Sequence, residues 1–483
     1  GTDDITAGLQ ITSLLGAALL LFVPALLLGP TFALCVRWAE LDGWRPGHAV
    51  GSTYLWNSAG SVAAPLLFTF LIVPVFHVPG AWMLLIVLAL VTGTVLVRWQ
   101  PGAADGDARL RLACLAGLAL GVGVMWLGPP GAGPEDLVRA SVVLHEKPER
   151  RLLLVESDAV TTASVIEAGT GKRYLYTDDF AAAATGRHYR YMRMLGHLPA
   201  ALAEDPKRAM VIAFGTGTTA GAVAQHEGVE RLEVVEVSSA VLGLATYFDE
   251  ANRFVLDDER VTVVRDDGRN ALLLHEPDLD LITLEPLMPY SPAGYPFYTR
   301  EFYELARDRL ADGGVLCQWI PVHAMPVGLY AAFLRAFYDV FPDGSLWFFE
   351  QSTALIGRKG GAPPSRLEVL ERLTSVRHDL QEAGFAHPEL LLSGYVANGR
   401  EILALQPPPS YRPYANRPLV DLDPYPEFQP TPRAPLNTPY LHQTLTYLLA
   451  LAAQGAEPKD RFCALVLTRQ ARSTGHVQRN CIV

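Results

Sequence analysis

VIAFGTGTTAG (Val211–Gly221) decides how this chain is read: an apolar run breaks into a glycine-rich turn and continues as a helix-like segment. A second apolar run, LEVVEV, has an acid, Glu236, next to its end and is followed by Ser238 and Ser239. A third, VTVV (Val261–Val264), runs into Asp266-Asp267-Gly268-Arg269, and a fourth, LDLITLEP, ends at Glu285-Pro286. Strands alternating with helical stretches predict a parallel sheet with its ligands at the strands' C-terminal ends. Gly215 and Gly217 let the backbone turn sharply and approach a ligand, and Glu236, one βα unit later, suits a pair of ribose hydroxyls. A glycine turn alone is often only a tight turn. Here three strand ends in the right order carry polar residues, which points to nucleoside binding. Gly215-Thr216-Gly217 lacks the third glycine of GxGxxG at its usual offset. The spacing therefore favours an S-adenosylmethionine-type fold over a dinucleotide one, with Asp267-Gly268 placed for adenine.

Working outward, the segment from about Glu156 to Leu346 resembles the spermidine synthase family, most closely its bacterial membrane-fused branch. The matching pieces are RYMRMLGHLP (Arg190–Pro199), AFGTGTTAG, VVEVSSAV, LDDERVTVVRDDGRNAL, LEPLMPYSPAG and FYTREFYELARDRLADGGVLCQWIP (Phe297–Pro321). The last is long and specific, and the match covers about two-fifths of the chain. The resemblance implies a Rossmann-like, class I methyltransferase-type domain behind a small antiparallel β-domain that covers part of the active site. It also implies a transferase of polyamine biosynthesis, moving an aminopropyl group from decarboxylated S-adenosylmethionine to a small-molecule amine.

Aminopropyl transfer is an in-line displacement by a neutral amine on a carbon beside a sulfonium. The enzyme must hold two cations, remove a proton and align the nucleophile. In the family, acids do this: one in the glycine loop and two in a DxxD pair after the fourth strand. Here the loop acid aligns with Thr216, the first of the pair with Glu285 and the second with Met288. The resemblance thus leaves Glu285 as base or amine anchor, with Gly215, Thr216, Gly217, Glu236, Asp267 and Gly268 holding the cofactor. A neutral Thr216 removes the acid that would repel the carboxylate of intact S-adenosylmethionine. Another adenosylmethionine user, whether a methyltransferase or a sulfonium-cleaving enzyme, therefore stays open. So does a membrane subunit that keeps the domain for binding or assembly.

Other candidates have two readings each. His197 matches the family's His-x-Pro segment and either lines the pocket or ends a helix structurally. Tyr191, Tyr290 and Tyr298 either wall a cationic pocket by cation–π contact or pack in the core. Asp178 and Asp179 form either a substrate-facing or an exposed acidic turn, and His323 reads as packing. No stretch has metal-ligand spacing, so no metal is expected, and there is no nucleophile elbow.

The 483 residues suffice for two or three domains. A net charge of −11 with no basic cluster argues against a nucleic-acid partner. Five cysteines without a CxxC pair give neither a zinc ribbon nor a disulfide framework. Mean hydropathy is +0.19, and the apolar excess lies near the N-terminus.

Residues 1–127 read as a transmembrane region of three or four spans: Ile11–Val36, Thr53–Phe76, Ala81–Val97 and Leu112–Leu127, each near the ~20 residues that cross a bilayer. Asn57, Ser58, Gly60 and Ser61 in the second span suit either close helix packing or a transport path. The loops after spans one and three hold Arg37, Arg45, Arg98, Arg109 and Arg111, which by the positive-inside rule are cytoplasmic. Four spans then put the C-terminal domain outside the cytoplasm, and one span fewer reverses the side. The expectation is a multi-pass protein of the cell (inner) membrane, in contact with the lipid bilayer, as a homo-oligomer or within a membrane complex. The chain opens Gly-Thr-Asp-Asp, without Met or a basic n-region, unlike an intact signal peptide.

A linker follows at 128–137, opening with GPPGAGP (Gly128–Pro134), then a small β-domain at 138–185 from alternating apolar and polar residues. The nucleoside domain takes 186–358. A C-terminal extension, 359–483, carries a helix over Ser365–Gly384, a proline-rich stretch over Gln406–Pro435 and a helix over Leu436–Gln454.

Overall fold

The computed structural model describes residues 31–72, 75, 84, 85, 88 and 149–404, except 179, 187–189, 290, 292, 323, 324, 326, 350, 351, 386 and 393. The chain divides into two compact units, Gly1–Gly133 and Pro134–Val483.

In the first unit a helix spans Thr31–Leu41 and a second Pro46–Leu67, prolonged by a π-helical turn at Phe68–Ile72. Pro46 starts the second helix, where its missing N–H costs nothing, so the helix begins seven residues before the expected Thr53. Pro46–Ile72 has 27 residues and a mean hydropathy of 1.5. That is about 40 Å of apolar helix, enough to cross a bilayer. Leu55, Trp56, Val62, Leu66 and Phe70 are exposed around it. Ser61 Oγ donates to Asn57 O at 2.8 Å, so part of the polar patch is satisfied within the helix. Among the described residues this is the one helix long and apolar enough to span, and the multi-pass expectation is not supported beyond it. Most of Ile11–Val36 and Ala81–Val97 and all of Leu112–Leu127 lie outside the described residues.

The second unit opens with a four-stranded antiparallel sheet: β1 (Arg151–Ser157), β2 (Thr162–Glu167), β3 (Arg173–Thr177) and β4 (Phe180–Ala184), paired in chain order. A second sheet follows with β5 (Arg208–Ile212), β6 (Arg231–Val235), β7 (Val261–Val264), β8 (Leu279–Leu284), β9 (Leu310–Pro321), β10 (Ser345–Phe349), β11 (Ser352–Arg358) and β12 (Tyr395–Asn398). Its order is β12-β10-β11-β9-β8-β5-β6-β7. The strands from β7 to β9 pair in parallel, and β11, β10 and β12 join antiparallel. This is a Rossmann-like α/β sheet of the class I methyltransferase type with a mixed edge.

The chain winds outward from β5 through β6 to β7, then returns to place β8 on the other side of β5. The adjacent ends Ile212 and Leu284 are therefore the topological switch point, where such sheets bind ligands. The glycine loop leaves one of these ends and Glu285 leaves the other.

Helices cover both faces. On one, Tyr303, Phe337 and Phe341 of the helices Arg300–Arg309 and Val327–Val340 and the turn beyond them pack with Leu316 and Ile320. On the other, Met194, Leu195 and Leu198 of the helix Tyr191–Leu202 pack with Val211, Val234 and Leu281. Two details go beyond the sequence reading. The sheet continues past 358, because Asn398 of β12 pairs with Ser345 of β10. The expected helix over Ser365–Gly384 breaks at Val376 into Arg366–Ser375, closed by a Ser365/Glu368 capping box, and Arg377–Glu382. Gln406–Pro435 and Leu436–Gln454 lie outside the described residues.

Candidate active site

The glycine loop takes left-handed backbone angles at Ala213 (φ 71°), Gly215 (φ 54°) and Gly217 (φ 77°). Only Gly fits at 217, since a Cβ there would collide with the Phe214 ring and sit 2.9 Å from Asn252 Cβ. Asn252 Nδ2 fixes the loop by donating to the carbonyls of Thr216 (3.2 Å) and Ala245 (3.3 Å). The Thr216 hydroxyl pairs with that of Thr218 at 2.8 Å and lies 3.8 Å from Met192 Sδ. It is thus satisfied inside the protein, at the wall of the cavity.

Glu236 follows β6 and is almost fully buried. Its Oε2 accepts from Phe214 N and its Oε1 from Ser238 N, both at 2.9 Å. Burial raises its pKa, against the pull of these backbone bonds. Each carboxylate oxygen keeps a second lone pair. Asp267 follows β7 and caps the helix Gly268–Leu274, its Oδ1 accepting from Arg269 N at 2.8 Å. At Gly268 a Cβ would meet Ile212 and Phe297, so the loop after β7 lies tight against the end of β5.

Asp158, in the turn between β1 and β2, ties the small sheet to this floor. Its Oδ2 accepts from Ser238 Oγ (2.9 Å), Ser239 Oγ (3.2 Å) and Ala240 N (3.0 Å). Its Oδ1 accepts from Val160 N and Thr161 N. Burial alone would push its pKa up; the bonds from Ala240, Thr161, Val160 and Ser238 outweigh that and hold it below the usual carboxylate range.

Glu285, at the end of β8, touches the cavity and is enclosed by protein elsewhere. Its Oε1 accepts from Tyr191 Oη at 2.6 Å. Burial pushes its carboxyl up to about 8, with the Tyr191 bond opposing. Tyr191 is itself stacked on Trp319 of β9 at 6.0 Å between ring centroids.

These groups meet in a cavity of about 1110 Å³ between the small sheet and the strand ends. Gly215, Thr216, Glu236, Asp267, Gly268, Tyr191, Glu285 and Asp178 all line it. Gly217 shapes the loop behind it. The fit to a nucleoside is good: a loop approached by backbone alone, a buried carboxylate with lone pairs to spare and an acid at the next strand end. Among the described residues no group of three or more His, Cys, Asp or Glu could hold a metal.

Two expected pocket residues lie elsewhere. His197 is fully buried, with Nε2 2.7 Å from Asp379 Oδ2 and Nδ1 3.1 Å from His226 Nε2. Six residues beyond Tyr191 on one helix, it is turned about 120° away from the cavity. Asp379 also bonds Arg193 and Arg253, so His197 belongs to a network that docks the helix Arg377–Glu382. Tyr298 is buried too; it packs on Phe333 at 5.3 Å and donates to Leu287 O at 3.3 Å, bracing the loop after Glu285. Tyr290, Asp179 and His323 lie outside the described residues. Sequence reasoning missed Asp158, Trp319 and Asp379. Asp158 looks like any turn acid between two strands, and Asp379 gains its meaning only from residues 126 to 186 positions away.

Fold and site together define a Rossmann-like α/β domain with the Tyr191–Glu285 pair at its switch point. Residues 188–322 match the spermine/spermidine synthase domain. The polyamine aminopropyltransferase of Ruegeria sp. is 28% identical over 184 residues, 38% of this chain and 64% of that protein. That of Nitrosomonas europaea is 32% identical over 154 residues, 31% of this chain and 46% of that protein. The chain thus spans less than two thirds of the length of these relatives, which are by name transferases. A crystal structure of spermidine synthase in complex with the transition state analogue AdoDATO superposes with a TM-score of 0.45 at 20% identity, over 55% of this chain and 88% of that one.

Proposed function

We propose that this domain transfers an aminopropyl group from decarboxylated S-adenosylmethionine to an amine. The observation that carries the proposal is Glu285, held by Tyr191 and opening on the same cavity as Glu236, with only β5 between their strands. The bound donor supplies a carbon beside a sulfonium; the amine nitrogen bonds to that carbon as the carbon–sulfur bond breaks and methylthioadenosine leaves. Glu236 would hold the ribose hydroxyls with its remaining lone pairs, and Asp267 the adenine amine. Glu285 would take the ammonium proton and so free the nucleophile's lone pair. A carboxyl with a pKa of about 8 is ionised in roughly one molecule in ten at pH 7, and a cation beside it raises that share. Tyr191 Oη holds the carboxylate oriented in its ionised form, and Trp319 holds Tyr191.

The deciding experiment is methylthioadenosine release from the decarboxylated donor by the full chain in detergent, repeated with Glu285→Gln. The expected result is loss of release with methylthioadenosine binding intact. Release unchanged in Glu285→Gln would sink the assignment of the base.

Thr216 supports a second reading, in which intact S-adenosylmethionine is the donor. Its side chain is neutral and internally bonded, so nothing at that point of the loop repels a carboxylate. Thr216→Asp should weaken intact S-adenosylmethionine relative to the decarboxylated form by about tenfold, or roughly 1.4 kcal/mol. A wild type that already prefers the decarboxylated form strongly excludes this reading.

We further propose that the helix Pro46–Ile72 anchors the enzyme in a membrane, as one of three or four spans with the arginine-rich loops cytoplasmic. With four spans, Gly131→Cys in a cysteine-free background should react with an impermeant thiol reagent in intact cells. Labelling only after lysis would place the domain in the cytoplasm.

A further inference from the structure

Resting on the aminopropyl-transfer reading, we infer that the acceptor is an amine with a single positive charge and an apolar body, rather than a diamine. Past Glu285 the cavity wall continues as Pro286, Leu287 and Met288. Met288 is partly buried in the same apolar cluster as Tyr191 and Trp319, so its side chain is part of the packed wall. An ammonium reaching this wall gives up water for no carboxylate in return, whereas methylenes gain by burial there.

The other acids among the described lining residues are committed to the nucleoside side. Glu236, Asp266 and Asp267 sit at the ends of β6 and β7, each already accepting from backbone N–H groups. Asp178 accepts from Thr162 N at 3.1 Å, at the end of the small sheet that Asp158 ties to Ser238. Two cations, Lys172 and Arg190, also line the cavity. Arg190 immediately precedes Tyr191, so positive charge stands on the chain segment that carries the Glu285 partner. Among the described residues the acceptor side therefore offers one acid and an apolar wall, which disfavours a second ammonium.

The test uses the full chain in detergent, saturated with 5′-methylthioadenosine and titrated with n-hexylamine, 1,6-diaminohexane and 6-aminohexanoate, which match in length. Hexylamine should bind at least about tenfold tighter than the diamine, and Met288→Asp or the more exposed Leu287→Asp should reverse that order. Retained methylthioadenosine binding shows that each variant is folded. A diamine that binds wild type as tightly as hexylamine overturns the inference. So does tighter binding of 6-aminohexanoate, which would assign Lys172 and Arg190 to an anionic acceptor. Methylthioadenosine binding without binding of any amine also overturns it, leaving the nucleoside site standing. Failure to bind methylthioadenosine overturns both this inference and the proposed function beneath it.

Discussion

Tyr191 Oη donates a 2.6 Å hydrogen bond to Glu285 Oε1, joining residues 94 positions apart at the mouth of the sheet's switch point. The bond favours the ionised carboxylate, while burial opposes it. Tyr191→Phe should therefore raise the pKa of Glu285 above about 8 and shift the rising limb of the pH–rate profile to higher pH. Maximal turnover should fall by roughly tenfold, as expected for a lost hydrogen bond to a charged group worth ~1.5 kcal/mol. A profile that keeps its midpoint would show that Tyr191 does not act through Glu285.

The same pKa has a consequence for stability. Burial pushes the Glu285 carboxyl from the ordinary value of 4.5, which it has in the unfolded chain, up to about 8 in the folded protein. Between those values the folded protein binds the extra proton, so stability is complete below about 4.5 and falls as pH rises through about 8. Glu285→Gln should abolish this loss. Melting temperatures of wild type and variant should diverge on the alkaline side, with the variant higher at pH 8.5 than at pH 5 relative to wild type.

At the end of β6, Glu236→Ala removes the acceptor for Phe214 N and Ser238 N as well as the one proposed for the nucleoside. Methylthioadenosine binding, followed by calorimetry, should weaken by about 1–3 kcal/mol, the cost of leaving buried polar groups unpaired. Undiminished affinity would remove Glu236 from the site.

Much of this site was legible because strand-end positions are local facts. Apolar runs of four to six residues closing on Gly215, Glu236, Asp267 and Glu285 already locate one edge of a parallel sheet. What pairs across the fold was not. Tyr191 and Glu285 were separately conspicuous, but their bond depends on where the helix Tyr191–Leu202 lies against β8 and β9. His197 shows the cost of reading a motif without its helix: turned away from Tyr191, it meets His226 and Asp379 instead of a ligand. The break at Val376 and the return of β12 to the sheet edge were hidden for the same reason.

The Asp379 cluster carries its own prediction. Asp379 is buried between Arg193, Arg253 and His197, and although burial alone would raise its pKa, the His197 contact and the arginines hold it well below the usual range. Asp379→Asn removes the buried acid shared by Arg193, Arg253 and His197, leaving the two arginines only the more exposed Glu382, and should cost about 1.5–3 kcal/mol in denaturant unfolding. Because the folded pKa is depressed, this stabilisation is present above the unfolded value near 3.8 and is lost as pH falls below it. The variant's stability should therefore change less between pH 5 and pH 3 than that of wild type.

Asp158 makes a distant hairpin into a gauge of what the cavity holds. It binds Ser238 through one oxygen and the hairpin amides of Val160 and Thr161 through the other. The backbone N–H of that same Ser238 holds Glu236. Anything that steadies Glu236 steadies this chain of bonds up to its far end. Exchange of the Val160 and Thr161 amides with heavy water should slow when methylthioadenosine is added, and in Asp158→Asn that response should fade even where the nucleoside still binds.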